Sequence, residues 1–369
     1  MQYLSTRDSA LRVSAQEAIV RGLAPQSGLF VPETFPQADL DAWKNLSYPE
    51  LAEKVLAGFL TDYSADFLHT ATASTYGAAF GGTRAMTSSS SCGISLKAEG
   101  VSQAATDHLP IVICSVMRGG PGVGPITGSQ QDYWQATKAH GNGGYKLLVF
   151  TPESVQEAVD MTYHAWDYAE KYRNPVMILI DGVIGVMMEP IELPDMVSDE
   201  FLAENKAKKK AEYAVGPRNG RTEKHPINVS DGGPMGRNHA DWMKYEGWKE
   251  NEVEYELYKT EDADLIISAY GISARIAKSA ISILRNEGYK VGLIRPKRVY
   301  PFPVKPFAEL CPDKIKGILD VEMSMPPQLL EDVAAATKGA IPIDTCLTSY
   351  GVIMNRDDIV AKAKEMLNK

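Results

Sequence analysis

Cysteine and histidine are scarce in this chain, with four of the first and six of the second among 369 residues. Cys92, Cys114, Cys311 and Cys346 are too far apart for a CxxC zinc or cluster motif, and four such residues in a long chain do not make a disulfide framework. The chain is therefore expected to carry no iron–sulfur cluster of its own. The six histidines show no ligand spacing. No apolar run approaches membrane-spanning length, and no apolar segment follows a basic start. A reduced, cytoplasmic protein with no membrane association is the expectation. Positive charge is also short. The net charge is −9, and the one basic cluster, KAKKK at residues 206–210, reads as a solvated helix end. Nucleic acid is not expected as a partner.

What is present is ordinary globular material, 44% hydrophobic and 23% charged, long enough for two or three domains. Residues 14–23 (SAQEAIVRGL) predict a helix capped by Ser14, with Glu17 at the capping-box position. Residues 47–60 predict a second, with Pro49 in its first turn and a stripe of Leu51, Val55, Leu56, Phe59 and Leu60. From about residue 71 strands and helices alternate. The predicted strands are residues 84–89, 110–117, 145–152 and 175–181, separated by helices near 94–105 and 154–172. Alternation of this kind implies a parallel sheet covered by helices. Residues 196–260 are polar and read as an irregular linker ending in a helix near 248–258. A second α/β unit follows, with strands at 263–271, 289–296 and 314–322, a helix at 273–288 and a terminal helix from Arg356.

Two loops stand out. Residues 87–93 carry four serines and a glycine. Residues 118–129 carry five glycines and one arginine, directly after the apolar strand LPIVICSVM. Ligands bind at the carboxyl ends of strands in open α/β sheets. An arginine placed there, among glycines that let backbone approach closely, suits a small carboxylate. The same pattern also suits two tight turns and a surface arginine.

Other motifs point less clearly. Asp181-Gly182 and residues 230–233 (SDGG) lack the acidic or asparagine partner of a magnesium-diphosphate loop, and GGPGVG at 119–124 lacks the lysine of a phosphate loop. The serine run has no nucleophile-elbow glycines, and it also suits a cap for the next helix. Gly271 to Ser273 opens a helix whose free N–H groups suit an anion, or only a strand–helix turn. Trp134, Trp166, Trp242 and Trp248 suit core or interface positions.

MTSSSSCGISL, VMRGGPGVG, SQQDYWQATKAHGNGGYKLLVFTPESVQE, KYRNPVMILIDGVIGVMMEP, DLIISAYG and GLIRPKRVYPFP occur in this order. Over residues 71–369 they resemble the alpha subunit of 2-oxoacid:ferredoxin oxidoreductases, nearest to the branched-chain (2-oxoisovalerate) type. The resemblance implies an α/β fold with a pyrimidine-type thiamine-binding domain (residues 70–195), a linker (196–260) and a transketolase-C-terminal-like domain (261–369). It implies oxidative decarboxylation of a 2-oxoacid to acyl-coenzyme A on thiamine diphosphate shared with a beta subunit. Mg2+ and the iron–sulfur clusters would sit on partner subunits: the beta, a gamma and a ferredoxin-like delta subunit, passing electrons to ferredoxin. It places Arg118, with Gly119 and Gly120, at the substrate carboxylate, and Ser89, Ser90, Ser129 and Gln130 on the cofactor side. It assigns no catalytic residue to this chain, and no activity is expected without the partners.

Residues 1–69 are similar to something else. YLSTRDS, VSAQEAIVRGLAPQSGLFVPE and LSYPELAEKVLAGFL resemble the amino-terminal segment of threonine synthase, with Asp8 where that family reads glycine. The segment is expected to be small and mainly helical. It brings none of the cofactor lysine or phosphate loop of a pyridoxal-phosphate lyase, so a lyase is the alternative only by the amino terminus. A non-catalytic assembly subunit is a third reading. The exchange removes the opening YPITPS-type motif of the oxidoreductase. It also removes the family's glutamate, which shares a proton with the thiamine aminopyrimidine. Counting back from Tyr76-Gly77-Ala78-Ala79, that position is Leu68, and Asp66 is two residues off. The sheet is expected to lack a strand, and the oxidoreductase to be impaired.

Overall fold

The structure is a computed structural model, and it describes residues 1–8, 10–21, 24–25, 29–37, 39, 43, 57, 74–122, 124–138, 141–214 and 233–368. The chain divides into two compact units, Met1–Ala78 and Ala79–Lys369.

In the first unit three short strands, β1 (Tyr3–Ser5), β2 (Arg12–Val13) and β3 (Phe30–Pro32), form an antiparallel sheet in the order β2-β1-β3. The turn after β1 is built from side chains: the Ser5 hydroxyl accepts from the Arg7 and Asp8 amides, and the Asp8 carboxylate accepts from Ala10. The expected helix is present at Ala15–Arg21, and the Glu17 amide donates to Ser14 Oγ at 3.1 Å. The sheet was not foreseen, because strands of two or three residues show no readable alternation. The helix expected at 47–60, and Asp66 and Leu68, lie outside the described residues.

The second unit holds two five-stranded sheets. The first combines β4 (Ala85–Ser89), β5 (Ile111–Met117), β6 (Leu148–Phe150) and β7 (Val176–Asp181), all parallel, in the order β6-β7-β5-β4. β5 and β7 are apolar runs because both their faces are covered. β4 is an edge strand among the described residues, and Met86 and Ser88 face outward from it.

The second sheet has β8 (Tyr255–Tyr258), β9 (Leu265–Ser268), β10 (Val291–Pro296), β12 (Gly317–Glu322) and β13 (Ile343–Leu347), in the order β13-β12-β9-β10-β8. Only β8 runs antiparallel in it. The strand between β10 and β12 in sequence, β11 (Arg298–Tyr300), instead joins the first sheet, antiparallel to β6.

The linker expected at 196–260 is more ordered than its polarity suggested. It contains helices at Asp199–Glu212 and Gly233–Asn251. Ser198 caps the first of these by accepting from Phe201 N. The helix expected near 248–258 ends at Asn251 instead, and Tyr255–Tyr258 pairs with the edge of β10.

Two carboxyl groups, Asp320 and Glu322, are fully buried on β12. Glu322 accepts from the Gln328 and Leu330 amides and so holds the start of the helix Leu329–Thr337, whereas both oxygens of Asp320 lack a conventional partner. Burial, and then the neighbouring Glu322, push the Asp320 carboxyl well above the usual carboxylate range. A group whose pKa is raised by folding stabilises the fold below its unfolded pKa of about 4, and this contribution is lost as pH rises through the folded value. Asp320→Asn, which supplies a permanent N–H donor beside Glu322, is therefore expected to raise stability at neutral pH by about 1–3 kcal/mol. The gain should shrink on acidification, as read from thermal melts between acidic and neutral pH. A lower melting temperature at neutral pH would contradict the pair's ionisation as described.

Candidate active site

β5 and β7 end level, Met117 with Asp181, and β4 stops two residues short of them, with Ser89 level with Ser115. Arg118 is the first residue beyond β5. It forms an antiparallel bridge with Gly128, and the Gly119 amide donates to Thr127 O at 3.0 Å, so the loop between them is pinched at its base. Two close backbone approaches require glycine. A Cβ on Gly128 would lie 2.6 Å from Val183 N, and one on Gly124, at φ +51°, would lie 1.8 Å from Gly119 O. A Cβ on Gly120 would meet nothing closer than Gln131 Oε1 at 3.9 Å, which leaves the backbone there open to approach.

Arg118 is held at its backbone and at its side chain. Its amide donates to Ser91 Oγ at 3.1 Å, and the same hydroxyl donates to Asp132 Oδ2 at 2.6 Å. Its Nη2 donates to Cys92 Sγ at 2.6 Å. Its Nε is buried and has no partner. Burial raises the Asp132 carboxyl above its ordinary range, opposed by the Ser91 hydroxyl and the Arg118 charge. Ser91 reaches this position with φ +32°, a conformation that costs a non-glycine residue energy. Cys92 and Asp132 were not singled out by sequence reasoning, and Ser91 was read only as one of the serine run. The serine–cysteine run was visible, but nothing local to it shows that Arg118 lies against it.

The other expected residues divide into two groups. Ser89 and Ser90 are half-buried at the end of β4, beside the Arg118 cradle. Ser90 occupies the cap position of the helix Ser91–Thr106 but makes no side-chain capping bond, so the run is not a serine cap in the usual sense. Ser129 and Gln130 are fully buried and turned towards the second sheet. Ser129 Oγ donates to Met323 O at 3.1 Å. Gln130 donates to Tyr270 O and accepts from Ser273 Oγ and Met323 N, at 2.8 to 3.0 Å. Their polar side-chain atoms are thus spent on joining the two sheets.

The remaining motifs resolve as structure. Asp181 is buried and accepts from Ile184 N and Ile272 N, so the helix start at Gly271 already holds an anion, supplied by the chain itself. Burial raises the Asp181 carboxyl to about 6. His108 pairs with Asp241, and Trp248 lies in the core while Trp242 is exposed. Among the described residues no group of acidic, cysteine or histidine side chains suits a metal ion. Among the described residues no helix is long and apolar enough to cross a membrane. On the segments flanking the Arg118 loop, Ile126, Val186, Met188, Tyr350, Val352 and Ile353 are exposed.

Residues 69–254 match the thiamine diphosphate-binding family of pyruvate flavodoxin/ferredoxin oxidoreductases, and residues 263–359 match core domain II of pyruvate:ferredoxin oxidoreductase. Residues 2–76 match the threonine synthase amino terminus. The ketoisovalerate oxidoreductase subunit VorB of Methanothermobacter marburgensis is 41% identical over 295 residues, covering 79% of this chain and 80% of that protein. The 2-oxoglutarate synthase subunit KorA of the same organism is 30% identical over 315 residues, covering 79% and 82%. The fold is shared with the 2-oxoglutarate:ferredoxin oxidoreductase of Magnetococcus marinus, at a TM-score of 0.66 and 23% identity, over 86% of this chain and 60% of that one. Behind an amino terminus of the threonine synthase type, the chain belongs to the 2-oxoacid:ferredoxin oxidoreductase family.

Proposed function

We propose that the chain is the alpha subunit of a thiamine-diphosphate-dependent 2-oxoacid:ferredoxin oxidoreductase acting on branched-chain acids of the 2-oxoisovalerate type, with Arg118 as the carboxylate anchor. Arg118 carries this function: a cationic fork at the end of a parallel strand, held by neutral groups, with a buried Nε that lacks a partner. A carboxylate meets such a fork in a bidentate pair. Identity favours the branched-chain type, at 41% against 30% for the 2-oxoglutarate relative.

Thiamine diphosphate, when bound, supplies the carbanion-stabilising chemistry of decarboxylation. The described residues fit one side of it. Gly120 leaves backbone open, and Ser89 and Ser90 offer hydroxyls beside Arg118. In this reading the diphosphate end, Mg2+ and the iron–sulfur clusters belong to partner chains. The apolar rim of Ile126, Val186, Tyr350 and Val352 suits burial against a thiamine-binding beta subunit. Gamma and delta subunits, ferredoxin and coenzyme A complete the reaction, in the cytoplasm. A pyridoxal-phosphate lyase is not favoured, because the threonine synthase likeness stops at residue 76.

Arg118→Ala, in complex with the beta subunit, is expected to weaken 2-oxoisovalerate binding roughly 10- to 100-fold, the loss of charge-assisted hydrogen bonds. Titration calorimetry measures this, and unchanged affinity rejects the anchor. In the same titration 2-oxoglutarate should bind more weakly than 2-oxoisovalerate. The reverse order would reassign the substrate.

A further inference from the structure

We infer that Cys92, seated on the Ser91–Asp132 pair, is the positioning residue that holds the Arg118 guanidinium ready for a carboxylate while leaving its charge unspent. This rests on the carboxylate-anchor role proposed for Arg118.

The local backbone is committed to this arrangement. Ser91 takes a left-handed conformation at φ +32°, and a Cβ on Gly93 would fall 2.1 Å from Ser89 Oγ. Between these two positions Cys92 is presented to Arg118, and its Sγ accepts from Nη2 at 2.6 Å. The Ser91 hydroxyl fixes the arginine's own amide, and Asp132 fixes that hydroxyl. Side chain and backbone of Arg118 are thus gripped by two consecutive residues.

The choice of acceptor has an electrostatic consequence. Among the described residues no carboxylate lies within ion-pair distance of the Arg118 guanidinium; Asp132 is bonded to Ser91 and meets the Arg118 charge only from further off. A thiol is a weak, neutral acceptor. It directs the plane of the guanidinium without neutralising it, whereas a carboxylate at residue 92 would compete directly with the substrate. A hydroxyl would serve nearly as well as the thiol, and a methyl group would leave Nη2 undirected. Preorganisation of this kind appears as affinity, because less freedom is lost on binding.

The test uses the chain assembled with its thiamine-binding partner and titrated with 2-oxoisovalerate. Cys92→Ser should bind within about 3-fold of the unaltered chain, Cys92→Ala about 5- to 10-fold more weakly, and Cys92→Asp at least about 50-fold more weakly, all with similar melting temperatures. A purely structural role would neither be rescued by serine nor be lost so steeply with aspartate in a folded protein. As a second readout, alkylation of Cys92 by iodoacetamide, mapped by peptide mass with exposed Cys311 as internal reference, should slow when 2-oxoisovalerate is present. Arg118→Ala separates the two levels of the proposal. If it binds normally, the carboxylate anchor itself is wrong. If it loses binding while Cys92→Ala and Cys92→Asp bind normally and Cys92 is not protected, the anchor stands and the positioning role is overturned.

Discussion

Assembled with a thiamine-binding beta subunit and assayed with 2-oxoisovalerate, coenzyme A and a viologen acceptor, this chain is expected to turn over about 10²–10⁴-fold more slowly than a family member with the glutamate intact. The reason is Leu68, which stands where the resemblance places a proton-exchanging glutamate. A leucine side chain neither gives nor takes a proton. Asp66 is displaced by two residues, which turns it to another side of a helix or moves it to another depth along a strand. Leu68→Glu should recover part of the lost rate, and Leu68→Gln, which hydrogen-bonds but does not ionise, should recover far less. Full turnover by the unaltered chain would show that another group does this work. Carboxylate binding at Arg118 should survive whatever the rate, because the cradle of Ser91, Cys92 and Asp132 lies wholly within the second unit.

The second large effect concerns Gln130. Gln130→Leu keeps most of the volume but strands the Ser273 hydroxyl and the Met323 amide in a fully buried place, and takes one of two donors from the Tyr270 carbonyl. Each buried polar group without a partner costs about 1–3 kcal/mol, so a loss of about 2–6 kcal/mol is expected. For a unit the size of Ala79–Lys369 that lowers the melting temperature by roughly 3–10 °C. Circular dichroism or calorimetry measures it, and a shift below roughly 2 °C would mean that the two sheets are joined by other contacts. Ser129→Ala removes one hydrogen bond from the same seam and should cost less.

The long apolar strands were legible because burial on both faces leaves an unbroken signature. Residues 110–117, 175–181 and 263–271 all contain the strands expected of them. β13 and β11 were not legible: IDTCL is half-buried along its whole length, and RVY is three residues long. The helix Asp199–Glu212 was legible only at its basic end, residues 206–210, because most of its residues are polar; its serine cap is the other local signal. In the site, Arg118 was visible from the glycines around it. Ser129 and Gln130 were placed on the cofactor side by the resemblance alone, and their side chains bond to Tyr270, Ser273 and Met323, far along the chain. No local pattern reports contacts at that separation. Asp132 was hidden in the same way, since its importance comes from Ser91 and not from its own neighbours.

β11 sets the order in which this protein can be finished on the ribosome. The first sheet borrows its last strand from Arg298–Tyr300, and Arg298 brings with it a buried pairing to Glu252. A nascent chain that has exposed β4 to β7 therefore waits, with one flank of β6 bare, until residue 300 clears the exit tunnel. Products of premature termination before that point keep the bare flank for good, and unpaired strand flanks are what chaperones and aggregates recognise.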